Sequence, residues 1–420
     1  MAEKKYWTSY QQLENEKDPS YLKRANKEFA EDPFLEALDE ATASNRRDFL
    51  KLFGFGVGTS AVLAACSTPV RYALPYVRKP VEITPGVADY YASTFFDGME
   101  YAAVLVKTRE GRPIKIEGNP DSPITRGGVG ARGHAHVLSV YDSNRFRGPV
   151  ARKGESSYEK IDAAVAEALK SGKEVAILSA TLPSPSTRAL IKDFLKKYPG
   201  RHVQYDAVSC SAILETHGRI FGTEPFLPRF RFDKADVVVG VNADFLGTWI
   251  SPVEFTKQYV QGRKFDEKVK KLSRHLQFET NLTVTGANAD LRVPMKPSQE
   301  GAVVLKIYNE IASALGKEKP AEANIELAGN SVSLAARELL NAKGRALLVC
   351  GSNDPNVQAL VAGVNLLIEA YGNTIDVEQK SFLRQGVDKD MKALIADMAS
   401  GKIGTLIVVD ANPAYTYPDP

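Results

Sequence analysis

From about Ser156 the chain alternates helical periods with short β-rich runs, and no other feature narrows its possible folds as far. A helix predicted over 158–170 sets Ile161, Ala164, Val165, Ala168 and Leu169 on one face, and Glu174-Val-Ala-Ile-Leu-Ser179 follows as a strand. Its continuous apolar run suits a sheet covered on both sides. The unit recurs. Helix 186–197 leads to strand 201–205, helix 211–221 leads to strand 236–241, and further strands stand at 345–350 and 405–410. Strands separated by helices pair in parallel through right-handed crossovers, so the expected class is α/β with a doubly wound parallel sheet over 151–420. Ahead of it, 101–108, a turn at Glu110-Gly111 and 112–117 read as a β-hairpin. A Gly-rich loop from Gly118 to Gly133 follows, completing a small β-rich region within 86–150.

Residues 44–66 read as an export address followed by a lipid anchor. Arg46 and Arg47 precede Phe49, Leu50 and Lys51, and then a weakly apolar, Gly-rich run of about fourteen residues, too short to span a membrane stably. That combination resembles a twin-arginine signal. The run closes on Leu63-Ala64-Ala65-Cys66, which resembles a lipobox, so Cys66 is the expected acylation site. The competing reading is a buried amphipathic helix with two surface arginines and a core cysteine. Gly54, Gly56 and Gly58 oppose it, since each costs up to about 1 kcal/mol inside a helix. A polar arm, 1–43, precedes the signal and carries Tyr6, Trp7, Tyr10, Phe29 and Phe34. Behind it, Pro69, Pro75, Pro80 and Pro85 make 67–85 an extended tether.

With 420 residues, 44% hydrophobic and 25% charged, the composition is that of ordinary globular protein with about two or three domains. A net charge of +3, with its densest basic cluster at Lys268–Lys271, does not indicate a nucleic-acid surface. Cys66, Cys210 and Cys350 lie far apart with no C-x-x-C, so they build neither a disulfide framework nor a self-contained zinc or iron–sulfur site.

Three turns that follow strands carry asparagine: Asn242, Asn353 and Asn412. Such turns expose backbone N–H groups and suit a nucleotide-like cofactor lying across a sheet's switch point. They equally suit plain strand-to-helix turns that need Asn, Gly and Pro for their dihedrals. Cys210 precedes a helix, where a thiolate gains from the N-terminal dipole, although a lone cysteine is commonly buried and inert. His134 and His136 share a metal only with a third ligand from elsewhere, and His217, beside Glu215 near a helix C-terminus, is placed where the dipole favours an imidazolium. No Ser/His/Asp order or GxSxG marks a nucleophile.

The segment Ile114-Lys-Ile-Glu-Gly-Asn-Pro-Asp-Ser-Pro-Ile-Thr-Arg-Gly-Gly-Val-Gly-Ala-Arg-Gly-His-Ala, with Tyr141-Asp-Ser-Asn-Arg145 and Gly148-Pro149, is similar to the N-terminal region of the molybdopterin (complex iron–sulfur molybdoenzyme) oxidoreductases. In that family three upstream cysteines and a fourth, just ahead of a Lys/Arg-Gly pair, ligate a [4Fe–4S] cluster. Here 90–98 holds no cysteine and Gly130 stands at the fourth position, so thiolate ligation is lost. Arg132 matches the family's basic residue between cluster and pterin. The family's metal ligand falls within 205–212, which makes Cys210 the leading candidate.

A molybdopterin-like fold without its cluster, behind a long arm and a late twin-arginine signal with lipobox, resembles the large iron–sulfur subunit of alternative complex III. The resemblance implies a cofactor-free scaffold with no catalytic or metal residues of its own, at the periplasmic face of the inner membrane. It implies a C-terminal half carrying [4Fe–4S] and [3Fe–4S] clusters, and integral quinol-oxidising and haem c subunits as partners. The chain stops just past the 405–410 strand and is expected to be a fragment of something longer. Two rivals stand. One is a truncated catalytic molybdopterin oxidoreductase of the polysulfide or thiosulfate reductase type, using Cys210 as ligand with Arg132, Asn242, Asn353 and Asn412 about the cofactor. The other is a free lipoprotein binding a small nucleotide at the three asparagine turns.

Overall fold

The structure, a computed structural model, describes Val81 and residues 83–418 apart from 153, 171–172, 266, 268–271, 323–324 and 326. The expectations at Arg46, Arg47, Phe49, Leu50 and Cys66 fall outside the described residues.

Strands β1 (Ala88–Phe96), β2 (Tyr101–Arg109) and β3 (Arg112–Gly118) form an antiparallel sheet in that order. The β2–β3 hairpin is the expected one, and β1 was not foreseen, although its Tyr, Thr and Phe content suits a strand. Helix α1 (Ala131–Ala135) ends the Gly-rich loop, and a ribbon of β4 (Val150–Ala151) and β5 (Gly154–Glu155) precedes the α/β body.

The body then runs α2 (Tyr158–Leu169), β6 (Glu174–Ser179), α3 (Pro185–Lys197), β7 (Gly200–Gln204), α4 (Ser211–Phe221), β8 (Leu227–Phe230), β9 (Val237–Val241), α5 (Pro252–Arg263), β10 (Arg274–Glu279) and β11 (Leu291–Pro294). It continues through α6 (Glu300–Ala314), α7 (Ser331–Asn341), β12 (Ala346–Cys350), α8 (Pro355–Leu367), β13 (Ile375–Ser381), α9 (Asp388–Ala399) and β14 (Ile403–Val409). The class is the expected one: α/β with parallel sheets and an N-terminal β-sheet region. The parallel strands nevertheless divide between two sheets, ordered β11-β10-β9-β12 and β14-β6-β7, while β8 and β13 pair antiparallel.

Local chemistry explains the elements. In α3, Ser184 accepts a hydrogen bond from the Thr187 N–H at 3.3 Å and Pro185 opens the first turn. Asp354 and Pro355 do the same for α8, at 2.7 Å to the Asn356 N–H. Helix α8 ends at Leu367, and Glu369 just beyond it takes a φ of +56°.

β9, Val-Val-Val-Gly-Val, is buried throughout between β10 and β12 and anchors the main core with Leu276, Phe278, Leu347 and Leu348. Each of these side chains contributes roughly 1.5–3 kcal/mol by leaving water. A second cluster of Ala176, Leu178, Val203, Met391 and Leu394 holds β6 and β7 under α9, and a third of Phe95, Ala102, Val104 and Ile116 lies in the N-terminal sheet. The apolar face of α2 is half covered, since Ala164, Val165 and Ala168 are exposed. No helix of the described residues is long and apolar enough to cross a membrane.

Candidate functional site

Both parallel sheets have a topological switch point. From β9 the chain winds out to β10 and β11 and returns to β12 on the other side, so a crevice opens between the carboxyl ends of β9 and β12. From β6 it winds to β7 on one side and later to β14 on the other, which puts the second crevice between β6 and β14. Asn242 and Asn353 follow the strands of the first crevice, while Asn412 follows β14 in the second. The three turns are therefore shared between two sheets, a correction to the expectation that one cofactor lies across all of them.

The first crevice is filled by the protein's own polar groups. A Cβ on Gly351 would lie 2.1 Å from the Asn242 carbonyl oxygen, so the two strand ends press together. Asn242, at φ +46°, accepts the Thr280 N–H at 2.9 Å. Glu300, at the start of α6, turns its carboxyl into the crevice. Burial raises its affinity for a proton, opposed by hydrogen bonds with Asn242, Cys350 and Ser352. A half-buried carboxyl there opposes a pyrophosphate. Asn353 accepts the Ala212 N–H at 2.9 Å and donates to Asp388 at 2.9 Å, so it caps α4 and ties it to α9.

At the end of β7, Asp206 is buried and one carboxylate oxygen accepts the Thr181 hydroxyl at 2.8 Å and the Gly386 N–H at 2.7 Å. The other oxygen has no partner, and burial pushes this carboxyl above the usual carboxylate range. The segment Leu383–Val387 lies over this strand end. Arg384, buried at φ +52°, reaches across to the carbonyls of Gly98 at 3.3 Å and Met99 at 3.2 Å. Beneath it Cys210 is 6% exposed, and burial pushes its thiol up to about 12. Cys210 thus keeps its proton, which corrects the reading of a thiolate lowered by the helix N-terminus: desolvation outweighs the dipole here. The N-terminal amides of α4 are already used, Ser211 by the Ser209 hydroxyl and Ala212 by Asn353.

At the Gly-rich loop, the Gly130 N–H donates to Glu100 at 3.0 Å, and a Cβ on Gly130 would fall 2.3 Å and 2.5 Å from the two Glu100 carboxylate oxygens. A buried carboxylate thus occupies the volume into which a side chain at 130 would project. Burial raises the Glu100 pKa, and the Gly130 N–H opposes that shift. Arg132 pairs with Asp97 at 2.8 Å and lines, with Glu100, Gly130 and Lys257, a cleft of about 380 Å³.

A larger cleft of about 510 Å³ opens between the N-terminal sheet and the β13 strand, with Tyr101, Ile124, Phe382 and Leu383 on its walls and Arg229 with Glu254 at its base. The buried Glu254 accepts from Arg229 at 2.9 Å and from Gln258 at 3.0 Å, so this pair is internally satisfied.

The histidines are structural. His134 Nδ1 meets the Ile116 carbonyl at 2.8 Å and His136 lies against the Phe95 ring. His217 donates from Nδ1 to the Ile213 carbonyl at 2.7 Å and accepts the Tyr371 hydroxyl at Nε2, 3.1 Å away. Burial lowers its pKa, so the imidazolium expected at the helix end is replaced by a neutral ring. Among the described residues no three His, Cys, Asp or Glu side chains are grouped to hold a metal.

Sequence reasoning singled out Gly130, Arg132, Asn242, Asn353 and Cys210, but not Glu100, Arg384 or the Arg229–Glu254 pair that the structure sets in these clefts and strand ends. Each of these acts through a partner about 25 to more than 250 residues away, and residue type alone carries no such signal.

A pterin cofactor of the kind held by the family that 114–149 resembles fits these residues poorly: Cys210 is covered, an unpartnered carboxyl oxygen of Asp206 lies beside it, and the switch-point crevice holds the Glu300 carboxyl. No protein-family model matches the chain. It is 22% identical over 367 residues to the menaquinone reductase, molybdopterin-binding-like subunit, of Nitratidesulfovibrio vulgaris, covering 75% of this chain and 51% of that one. It is 27% identical over 226 residues to a sulfite dehydrogenase subunit of Allochromatium vinosum, covering 50% and 22%. Among solved structures, acetylene hydratase from Pelobacter acetylenicus superposes with a TM-score of 0.52 at 11% identity, over 70% of this chain and 47% of that one. The fold is therefore that of the molybdopterin enzymes, and the chain spans about half the length of the first curated relative and about a fifth of the second.

Proposed function

We propose that this chain is a cofactor-free, molybdopterin-like scaffold within a membrane-associated quinol:electron-carrier oxidoreductase of the alternative complex III kind. The observation that carries the reading is Glu100, whose carboxylate fills the space beside Gly130 where a cluster ligand would have to project. The covered Cys210 supports it at the pterin position, and the likeness to a menaquinone reductase subunit supports a quinone-linked complex. In this reading the [4Fe–4S] and [3Fe–4S] clusters belong to a further C-terminal half, and quinol and haem c chemistry to partner subunits. Arg46 and Arg47 direct export, and Cys66 holds the domain at the periplasmic face.

The chain's own residues then perform no redox step. Arg384 ties the α/β body to the turn at Gly98 and Met99, and Asn353 joins α4 to α9 through Asp388. These bonds fix the relative positions of elements that a scaffold must hold still.

Likeness to a sulfite dehydrogenase subunit favours a catalytic rival in which Cys210 ligates molybdenum. Elemental analysis separates the two. The native complex and the full chain, expressed in a host that makes molybdopterin, are each assayed for molybdenum and iron. The scaffold reading expects no molybdenum in either sample and iron only in the complex. Stoichiometric molybdenum on the full chain, lost in Cys210→Ala, would overturn it.

A further inference from the structure

The two ends of the N-terminal sheet have different surroundings. One end, carrying Phe96, Tyr101 and Gly118, is fastened to the body: Arg384 holds the carbonyls of Gly98 and Met99, and Glu100 holds Gly130. The opposite end pairs Ala88 with Arg109 and Arg109 with Arg112, so it is the hairpin tip and also the place where the preceding chain joins β1.

That tip is unusually apolar for a free end. Val87, Tyr90, Tyr91, Ile114 and Tyr141 are each about half exposed, from 47% at Ile114 to 55% at Val87. Tyr90 and Tyr91 are adjacent in a strand, so their rings project to opposite faces of the sheet. Tyr141 is fixed to the same end by its hydroxyl, which donates to the Pro113 carbonyl at 2.6 Å. Lys107 sits over the Tyr90 ring, 5.5 Å from its centre, and Arg109, Arg112 and Lys115 lie beside it among Asp89, Glu110 and Glu117.

Lys115 is paired with Glu117 at 2.9 Å, and the four cations exceed the three carboxylates by one. Tyrosines with an apolar body and a polar tip, set among charges of both signs, match the headgroup level of a bilayer. The chain that joins here leads back through the Pro-rich tether to Cys66. Even extended as polyproline, the residues from Cys66 to Ala88 reach only about 70 Å, which keeps the tip at high local concentration near any membrane holding that anchor.

We infer that the tip of the β1–β3 sheet is a lipid-contacting surface that lies in the headgroup region of an anionic bilayer, an inference that rests on the lipid-anchor reading of Cys66. Contact is shallow. The outer edge of β1 has no partner strand among the described residues, and its N–H and C=O groups need the water and headgroups that the hydrocarbon core lacks.

The test uses the full chain with Cys66→Ala, which removes the acylation site, and flotation with vesicles of phosphatidylethanolamine and phosphatidylglycerol. The unacylated chain should float with the vesicles, and adding Tyr90→Ser, Tyr91→Ser and Ile114→Ser should lower its partitioning by about tenfold. Leu406→Ser with Val408→Ser, on exposed positions of β14, should leave it unchanged. In a separate Tyr91→Trp chain, brominated lipid should quench the added fluorescence, a readout that does not depend on the triple variant folding. Failure of the unacylated chain to float, equal flotation of the triple variant, or no quenching would overturn the inference and assign the tip to a protein partner. The anchor is judged apart, by the mass of the peptide containing Cys66 from the unsubstituted chain. An unacylated Cys66 there would sink the anchor reading without altering what flotation says of the tip.

Discussion

Gly130→Ala isolates the contact on which the scaffold reading depends. The backbone at 130 has φ −85° and ψ 174°, open to any residue, so alanine meets no conformational objection. Its Cβ would nevertheless stand 2.3–2.7 Å from the Glu100 carboxyl group, well inside van der Waals contact. Glu100 must then move, which gives up the 3.0 Å bond from the Gly130 N–H. Losing a hydrogen bond to a charged group costs about 1.5–3 kcal/mol and overpacking about 1–3 kcal/mol, so the variant should lose roughly 2.5–6 kcal/mol. Glu100→Ala alone should lose about 1–2 kcal/mol, because removing the bond is partly offset by no longer burying a carboxylate. In the Glu100→Ala background the alanine at 130 meets no carboxylate, and its effect should fall within about 0.5 kcal/mol of zero or be stabilising through the unfolded chain. Urea denaturation of the four proteins, followed by the buried Trp249, measures the coupling, expected at about 2 kcal/mol or more. Equal costs of Gly130→Ala in both backgrounds would refute the reasoning, since the glycine would then be required for something other than Glu100.

Three further outcomes are expected. Asn353→Ala should destabilise by about 1–2 kcal/mol and speed amide exchange at Ala212, which loses its cap; unaltered exchange there would show that the cap is dispensable. In a Cys66→Ala chain, Ellman's reagent at pH 8 should find no reactive thiol until denaturant exposes Cys210 and Cys350, both buried with raised pKa; rapid native labelling abolished by Cys210→Ala would restore the thiolate reading. His275 is buried and its pKa is lowered to about 4, so the unfolded chain binds a proton that the folded one refuses. Stability from this site is full above the ordinary histidine value and falls as pH drops through 6.5 toward 4, by on the order of 3 kcal/mol. Replacing His275 with Gln should flatten that window in acid-dependent urea titrations, and an unchanged slope would place the effect elsewhere. Glu100 acts with the opposite sign. Its raised pKa favours the folded state at low pH, and that contribution is lost as pH rises from the ordinary glutamate value through the folded one, so Glu100→Gln should remove it.

Strands whose side chains are apolar on both faces were legible in the sequence: β6, β9, β12 and β14 lie within two residues of where the pattern sets them. β10 was not. Its Arg-His-Leu-Gln-Phe-Glu reads as polar, yet His275, Gln277 and Glu279 are buried and satisfied one by one. The His275 ring meets Tyr259 at 3.1 Å and Gln277 at 3.2 Å, Gln277 donates to the Ala243 carbonyl at 3.3 Å, and Glu279 pairs with Arg292. A polar strand is distinguishable as core only when its partners are known.

What the sequence by itself determined is local: the helix and strand periods, the caps at Ser184 and Asp354, the hairpin at Glu110-Gly111, and the absence of cysteine over 90–98 and at 130. Each depends on residues a few positions apart, and period or dihedral preference expresses it directly. Only the tertiary structure decided that the parallel strands form two sheets, that Asn242 and Asn353 flank one crevice while Asn412 flanks another, and that Glu100 takes the space beside Gly130. Strand order is set by which buried faces fit together across the whole chain. The charge state of Cys210 is likewise set by Leu383–Val387, a segment more than 170 residues away that excludes water from the thiol, so no window of sequence around Cys210 contains the answer.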